Sequence, residues 1–143
     1  MKAMEISQSG MDVEWRRLEV IADNLANMNT SRTAMGDVYQ PMRLISGPKA
    51  GFAQYLQKTP IDASAMQGVT VYGVEPLNIP PKVVYQPEDP QADAKGFVAY
   101  PGIDHSEEMT LMVKAARAYE ADIVAMNSAR EMYLKAADIG KRS

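Results

Sequence analysis

Apolar residues recur with a helical period near the N-terminus. The repeating positions lie seven residues apart and comprise Met4, Met11, Leu18 and Leu25, with Ile21 and Met28 in the second position of the later heptads. This spacing predicts a helix over residues 2–28 that carries a narrow coiled-coil stripe. Gly10 interrupts that helix, either because its first turns are flexible or because a neighbouring helix approaches closely there.

The C-terminal segment has a longer and more regular pattern. Its apolar positions alternate by threes and fours, broken by Arg130, in the series Met109, Met112, Ala116, Tyr119, Ile123, Met126, Tyr133 and Ala137. Asp104 and Glu107 have the spacing of a capping box, so the helix is expected to begin near residue 104. Acidic residues in its first turn and basic residues in its last suit the helix dipole.

The prolines divide the chain into three parts. All nine lie between Pro41 and Pro101, and proline removes a helix donor and clashes with the preceding turn. The middle therefore cannot hold a long helix, whereas both ends can. We predict a mainly α fold with a small β part, in which residues 1–30 and 104–143 form a discontinuous core domain as an antiparallel coiled coil. Residues 31–103 form an extended loop and small β insert.

The insert itself has two parts. Residues 31–68 show no sustained period and contain recurrent turn formers, which predicts a loop-rich stretch with one short helix near residues 52–58. The strings VTVYGV, KVVY and GFVAYP then predict three short strands, and a polar turn, QPEDPQADAK, separates the last two. The three strands are expected to form one small antiparallel sheet.

The predicted helix lengths bear on assembly. At 1.5 Å per residue the two helices would be about 40 and 50 Å long, whereas a compact globule of this length has a radius of gyration of about 14–15 Å. A pair of such helices also buries only one stripe on each. Two interpretations remain open: a monomeric helical hairpin beside a small β domain, and a subunit that completes its coiled coil by assembly.

Composition and charge point away from catalysis and nucleic-acid binding. The chain has no cysteine and a formal net charge of −3, so it lacks thiolate ligands, cysteine nucleophiles and a broad basic surface. The single histidine, His105, is expected to be an exposed first-turn residue, and the acidic residues Glu88, Asp89 and Asp93 lack the ligand order of a calcium loop. We predict no catalytic, cofactor or metal site. No apolar run is long enough to span a bilayer, and the N-terminal residues lack a signal-peptide core.

The string VIADNLANMNTSRT, residues 20–33, is unusual for a helix end. Asn24 and Asn27 lie within or beside the apolar stripe. A buried asparagine costs stability but can specify register. Asparagine can also cap a helix and start the following loop. Both roles can coexist.

That string resembles the signature of the flagellar axial rod and hook protein family. Its continuation, MGDVYQPMR, and two later strings, VVYQPEDPQADAKGFVAYP and EEMTLMVKAARAYEADIVAMNSAREM, are similar to the family's corresponding segments. The resemblance covers nearly the whole chain. It rests on two separate motifs that occur in the right order.

The resemblance implies a structural, non-enzymatic subunit of the bacterial flagellar basal-body rod, in its periplasmic span. Its expected partners are copies of itself, other rod proteins, the basal-body base and the flagellar type III export apparatus, through which it would pass without a cleaved signal peptide. No nucleic acid is expected among them. The residues implied for assembly lie on both helices and in the loop between, and comprise Leu18, Ile21, Asn24, Leu25, Asn27, Asn29, Thr30, Arg32, Met112, Arg117, Tyr119, Glu120, Ile123 and Met126.

Two alternatives from other classes remain. A helical adaptor or chaperone would use the same amphipathic helices to bind a partner helix in a groove. A peptidoglycan-cleaving enzyme would need a pair of carboxylates in a cleft, and the sequence indicates no such pair.

Overall fold

A computed structural model of the chain describes residues 2–49 and 67–141. Its helices and strands, numbered in chain order, are α1 (Lys2–Ala26), β1 (Met42–Pro48), β2 (Val69–Pro76), β3 (Lys82–Tyr85), β4 (Phe97–Tyr100) and α2 (His105–Lys141). The two end helices and the three strands predicted from the sequence are confirmed. The short helix expected near residues 52–58 lies outside the described residues.

The start of α2 agrees with its predicted cap. The Asp104 carboxylate accepts hydrogen bonds from the backbone N–H groups of Ser106, at 2.8 Å, and Glu107, at 3.2 Å. These are two of the donors that the first turn of a helix leaves without an internal partner. His105 is exposed in that first turn.

The prediction that the three strands form one sheet is wrong. The strands form two separate two-stranded sheets, β1 with β2 and β3 with β4. Strand β1, the partner of β2, lies within residues 31–68, for which the sequence pattern predicts a loop-rich stretch. Its sequence, MRLISGP, includes Arg43, Gly47 and Pro48, which hide the alternation typical of a strand. Pairing with a distant strand therefore stabilises β1 where its own propensity does not.

The β3–β4 hairpin is antiparallel, with Val84 opposite Val98 and Tyr85 opposite Phe97. Its loop is held by a carboxylate: Asp93 Oδ1 accepts the backbone N–H groups of Lys95, at 2.8 Å, and Phe97, at 2.9 Å. Such local bonds replace a regular turn ladder. The acidic loop residues therefore organise the turn in the described structure.

The chain divides into two compact units, and both helices contribute to each. The first unit comprises Met1–Arg16, Ile45–Gly73 and Ala115–Ser143. In it the Asp122 side chain lies against Gly10, where a Cβ atom would stand 2.8 Å from the Asp122 carboxylate carbon. The rings of Trp15 and Tyr119 lie 6.2 Å apart. The partner number falls from 122 to 119 as α1 proceeds from residue 10 to 15, so the helices run antiparallel in this unit.

The second unit comprises Arg17–Leu44 and Val74–Lys114. Its buried apolar side chains come from α1, β1 and β4 and are Val20, Ile21, Leu44 and Val98. Two polar side chains, Asn24 and Glu108, are buried in the same unit, 0% and 3% exposed. A buried asparagine and a buried glutamate in so small a core require full hydrogen bonding.

The buried face of α1 differs from the predicted heptad stripe. Met4, Met11, Leu18 and Leu25 are only half-buried, whereas the deepest burial on the helix falls on Val13, Val20, Ile21 and Asn24. At 100° per residue the centres of these two sets lie about a third of a turn apart, with Ile21, which also belongs to the predicted stripe, between them. The predicted stripe therefore borders the internal contact and keeps part of its apolar surface outside it.

The buried face of α2 is shifted in a similar way. Glu108 and Ala115 are buried, whereas Met109, which the sequence placed on the stripe, is 40% exposed. The glutamate can take the inner position because a neighbouring cation and amide satisfy its carboxylate. In the described segments no helix combines the length and apolar character needed to cross a membrane.

Candidate assembly site

The side-chain amide of Asn24 is the centre of a buried polar cluster in the second unit. Its Nδ2 donates to the backbone oxygen of Met42, at 2.9 Å, and to Glu108 Oε2, at 3.3 Å. Its Oδ1 accepts the backbone N–H of Met42, at 2.9 Å, and the hydroxyl of Tyr39, at 3.1 Å. Both donors and both lone pairs of the amide are thus used, which is the condition for burying it without a large penalty.

The Glu108 carboxylate has a second partner. Arg43 Nη2 lies 2.5 Å from Glu108 Oε1. The carboxylate therefore shares its two oxygens between a cation from β1 and an amide from α1. Removing one member of such a buried group leaves an uncompensated charge or donor, which is far more costly than the net value of the intact group.

Tyr39 completes the cluster as a neutral donor. Burial, and then the carboxylates of Asp23 and Glu108, raise the pKa of the Tyr39 phenol. The hydroxyl therefore stays protonated at neutral pH and can donate to Asn24. The cluster ties one side chain of α1 to the segment before β1, to β1 itself and to the first turn of α2.

Asn27 has the other role that the sequence suggested, that of a local cap. Its Nδ2 donates to the backbone oxygen of Asp23 at 2.9 Å, and its Oδ1 accepts the Thr30 hydroxyl at 3.2 Å. The Thr30 N–H also donates to the Asn27 carbonyl, at 3.0 Å. These bonds close the end of α1 and begin the following loop. The two alternatives are therefore both present, on different asparagines.

The other residues implied for assembly lie at different depths. Ile21 is buried. Half-buried positions on the two helices are Leu18, Leu25, Met112, Tyr119, Ile123 and Met126, and exposed positions are Asn29, Arg32, Arg117 and Glu120. Within the chain the structure brings Asn24 into the buried cluster and Tyr119 against Trp15. Their contacts with a neighbouring molecule stay a prediction.

Four residues that the site prediction omitted make these contacts. They are Tyr39, Arg43 and Glu108 in the cluster and Trp15 in the ring pair. Glu108 is one of the acidic residues in the first turn of α2, where a carboxylate suits the helix dipole, and this role is compatible with its burial. The only sequence signal for the cluster was a buried amide at Asn24, which needs distant partners that spacing cannot identify.

We expect the stability of the first unit to depend on the ionisation of Asp122. Burial, and then the Glu14 carboxylate, raise the Asp122 pKa above its ordinary value of 3.8. The folded chain thus binds this proton more tightly than the unfolded chain, so this group's contribution rises as pH falls from neutrality through the raised pKa. Asp122→Asn should stabilise the unit modestly at neutral pH and remove that pH dependence.

Trp15, the chain's only tryptophan, provides the measurement because it lies against Tyr119 in the same unit. Its fluorescence during urea unfolding at several pH values should give a higher midpoint for Asp122→Asn at neutral pH. Asp138→Asn removes an exposed carboxylate from the same helix and should leave the midpoint unchanged. Identical pH profiles for the wild type and Asp122→Asn would contradict this role.

The described residues show no metal centre. Within residues 2–49 and 67–141, no three histidine, cysteine, aspartate or glutamate side chains lie close enough together to hold a metal ion. The polar residues that do converge, around Asn24, use their hydrogen-bonding groups on one another. The chemistry of this cluster is therefore that of a packing and positioning element.

Comparison with known proteins gives matches at both ends of the chain and over nearly its whole length. Residues 4–32 match the family described as flagella basal body rod protein, and residues 94–139 match the C-terminal family of flagellar basal body rod FlgEFG proteins. The chain is 34% identical to the flagellar basal-body rod protein FlgC of Borreliella burgdorferi, over 94% of this chain and 93% of that protein.

Two further relatives have the same name and similar coverage. The chain is 33% identical to FlgC of Bacillus subtilis, over 97% of each protein. It is 30% identical to FlgC of Escherichia coli, over 99% of this chain and 98% of the relative. The N-terminal family match includes Asn24 and Asn27, and the C-terminal match includes Glu108.

Proposed function

Because the chain belongs to the family of FlgC flagellar basal-body rod proteins, we propose that it is a structural subunit of the bacterial flagellar rod. The observation that carries this proposal is full-length similarity to proteins named for that structure, with Asn24 and Glu108 inside the two matched segments. The protein acts by assembly and not as an enzyme. It contributes to motility by forming part of the flagellar rod.

We propose that the terminal helices assemble as an antiparallel coiled coil, so that residues 1–30 and 104–143 form the core domain and 31–103 the insert. Contacts within each unit support this arrangement. Gly10 and Trp15 lie against Asp122 and Tyr119 in the first unit, and Asn24 bonds Glu108 in the second. Heptad packing of neighbouring subunits would bury the half-exposed stripe that includes Leu18 and Leu25.

We propose further that the fourteen assembly residues act in two groups. Asn24, Asn27 and Thr30 fix the course of the chain as it leaves α1, with Asn29 and Arg32 exposed beside them. Buried Ile21 supports the half-buried apolar residues of both helices, and these, with Arg117 and Glu120, contact neighbouring subunits. An interface that does not close on itself generates an open helical assembly, as a rod requires.

The proposed partners are copies of this chain and other rod proteins, with the basal-body base below them. We propose that the chain reaches the periplasmic span of the rod through the flagellar type III export apparatus. Family membership supports these statements. The absence of cysteine is compatible with a subunit exported unfolded, because no disulfide has to form afterwards.

Deletion and recovery test the proposed function. Cells that lack this chain should be non-motile and should yield no complete rods, and an introduced wild-type copy should restore both. Basal bodies purified from the restored cells should contain the chain, as mass spectrometry can determine. Motile deletion cells with complete rods that lack the chain would overturn the proposal.

A further inference from the structure

Within the described residues, the last turns of α2 extend beyond Lys2, at the start of α1. In the first unit Gly10 lies against Asp122, and continuing that antiparallel register places Lys2, the first residue of α1, opposite about residue 130. Helix α2 continues to Lys141. Every residue from 130 to 141 is exposed. We call residues 131–141 the α2 overhang.

The overhang displays apolar side chains. Met132, Tyr133 and Leu134 are 65%, 52% and 51% exposed. Three consecutive apolar residues on an isolated helix end would normally be covered, because exposed apolar surface of this kind marks an interaction site. Within the described part of the chain nothing buries them.

A second apolar surface lies on one face of the β3–β4 hairpin, in the second unit. Val83 and Tyr85 are 61% and 63% exposed, and Phe97, which meets Tyr85 edge to face at 5.2 Å, is 39% exposed. Side chains alternate between the faces of a strand. The opposite face contains Val98, which is 1% exposed. We call the exposed set of Val83, Tyr85 and Phe97 the hairpin face.

The charges around the two surfaces are complementary. The overhang contains two bases, Lys135 and Lys141, and two acids, and Arg130, directly before it, gives this end of the helix a net positive charge. The loop beside the hairpin face, residues 86–96, contains three acids, Glu88, Asp89 and Asp93, against one base. Opposite charges at the rim favour encounter in a single orientation and disfavour the pairing of like surfaces.

We propose that the α2 overhang of one subunit docks on the hairpin face of a second copy of the chain, in a head-to-tail contact. The proposal rests on the proposed function, because only a polymer brings one copy's overhang to the next copy's hairpin repeatedly. Two different surfaces joined in this way leave one of each free at the ends, so the contact propagates and does not close as a symmetric dimer would.

Cross-linking between subunits tests the contact directly. The chain has no cysteine, so single cysteines introduced as Leu134→Cys and Val83→Cys are unique in it. Cells should express both variants together in place of the wild type, and purified basal bodies should be treated with a short bis-maleimide. We expect a covalent dimer from the mixture and none from either variant alone. The mixture of Leu134→Cys with Met35→Cys, at a residue 92% exposed, should give none.

The outcomes separate this contact from the rod function. Basal bodies that contain both variants but give no dimer would overturn the docking while leaving the chain a rod subunit. Dimers from Leu134→Cys alone or Val83→Cys alone would also overturn it, since they indicate like-to-like contacts.

If a cysteine variant does not enter basal bodies, exchanging the charges of the overhang and of the loop beside the hairpin face tests the docking contact instead. Lys135→Glu should reduce swimming, and adding Glu88→Lys in the same chain should restore it, because each overhang then again meets a loop of opposite charge. Failure of the second substitution to restore swimming would count against the contact.

Discussion

Cells whose only copy of the chain contains Asn24→Asp are expected to be non-motile and to lack complete rods. The substitution replaces the two N–H donors of Asn24 by a carboxylate. Its new charge would face the Met42 carbonyl, 2.9 Å from the present amide nitrogen, and Glu108 Oε2, 3.3 Å from it. Breaking a buried charged group typically costs about 3–5 kcal/mol, against a total stability of about 5–15 kcal/mol.

Asn127→Asp is the matched control, because it makes the same chemical change at an exposed asparagine of α2 to which no assembly contact is assigned. It should leave swimming close to that of the wild type. Combining Asn24→Asp with Glu108→Gln returns the cluster to a single carboxylate and should recover part of the lost swimming. Full motility of Asn24→Asp cells would mean that the cluster does not hold the helices and β1 together.

Glutamate at Leu25 or at Ile123 should also stop rod assembly, by a different route. Both side chains are half-buried within the chain, so each retains apolar surface for a neighbour. Burying a carboxylate in that contact without a partner would cost several kcal/mol. We expect each variant to be produced and exported but to be absent from basal bodies, and the cells to be non-motile.

Met35→Glu provides the control for charge alone, because Met35 is 92% exposed and lies outside both helices. The amount of each variant should be measured in the culture medium and in purified basal bodies. Exported Leu25→Glu or Ile123→Glu protein that is missing from basal bodies locates the defect in assembly. Motile cells with either variant would exclude that residue from the interface.

The periodic parts of this fold could be predicted from sequence because their signals are local. The heptads and the absence of proline at both ends predicted α1 and α2, and alternating apolar strings predicted β2, β3 and β4. The sequence pattern does not predict strand β1, because its residues Arg43, Gly47 and Pro48 oppose strand formation locally. Its stability depends on β2, which no window of the sequence around β1 includes.

The candidate site was predictable only in part, for the same reason. A run of asparagines at a helix end indicated either a cap or a buried amide, and the structure assigns the cap to Asn27 and the buried amide to Asn24. The partners of that amide, Tyr39 and Glu108, lie 15 and 84 residues away in the chain. Nothing in their own sequence surroundings identifies them as a group.

The helix faces show how tertiary packing modifies a periodic pattern. The heptad stripe of Met4, Met11, Leu18 and Leu25 lies at the border of the buried face, and Ala115 replaces Ala116 at the centre of the α2 contact. Apolar residues lie on surfaces that are buried within the chain and also on surfaces that are buried against other molecules. In an assembling subunit the second kind includes the contacts with neighbouring subunits, so the stripe need not coincide with the internal core.

A density map of the assembled rod, at a resolution that separates side chains, is the most direct measurement of the proposed architecture. We expect α1 and α2 of each subunit to be paired antiparallel, with the Asn24 amide bonded to Glu108 and with Leu25 and Ile123 in contact with adjacent subunits. Helices of one subunit that lie apart from each other, or subunits joined only through residues 31–103, would contradict it.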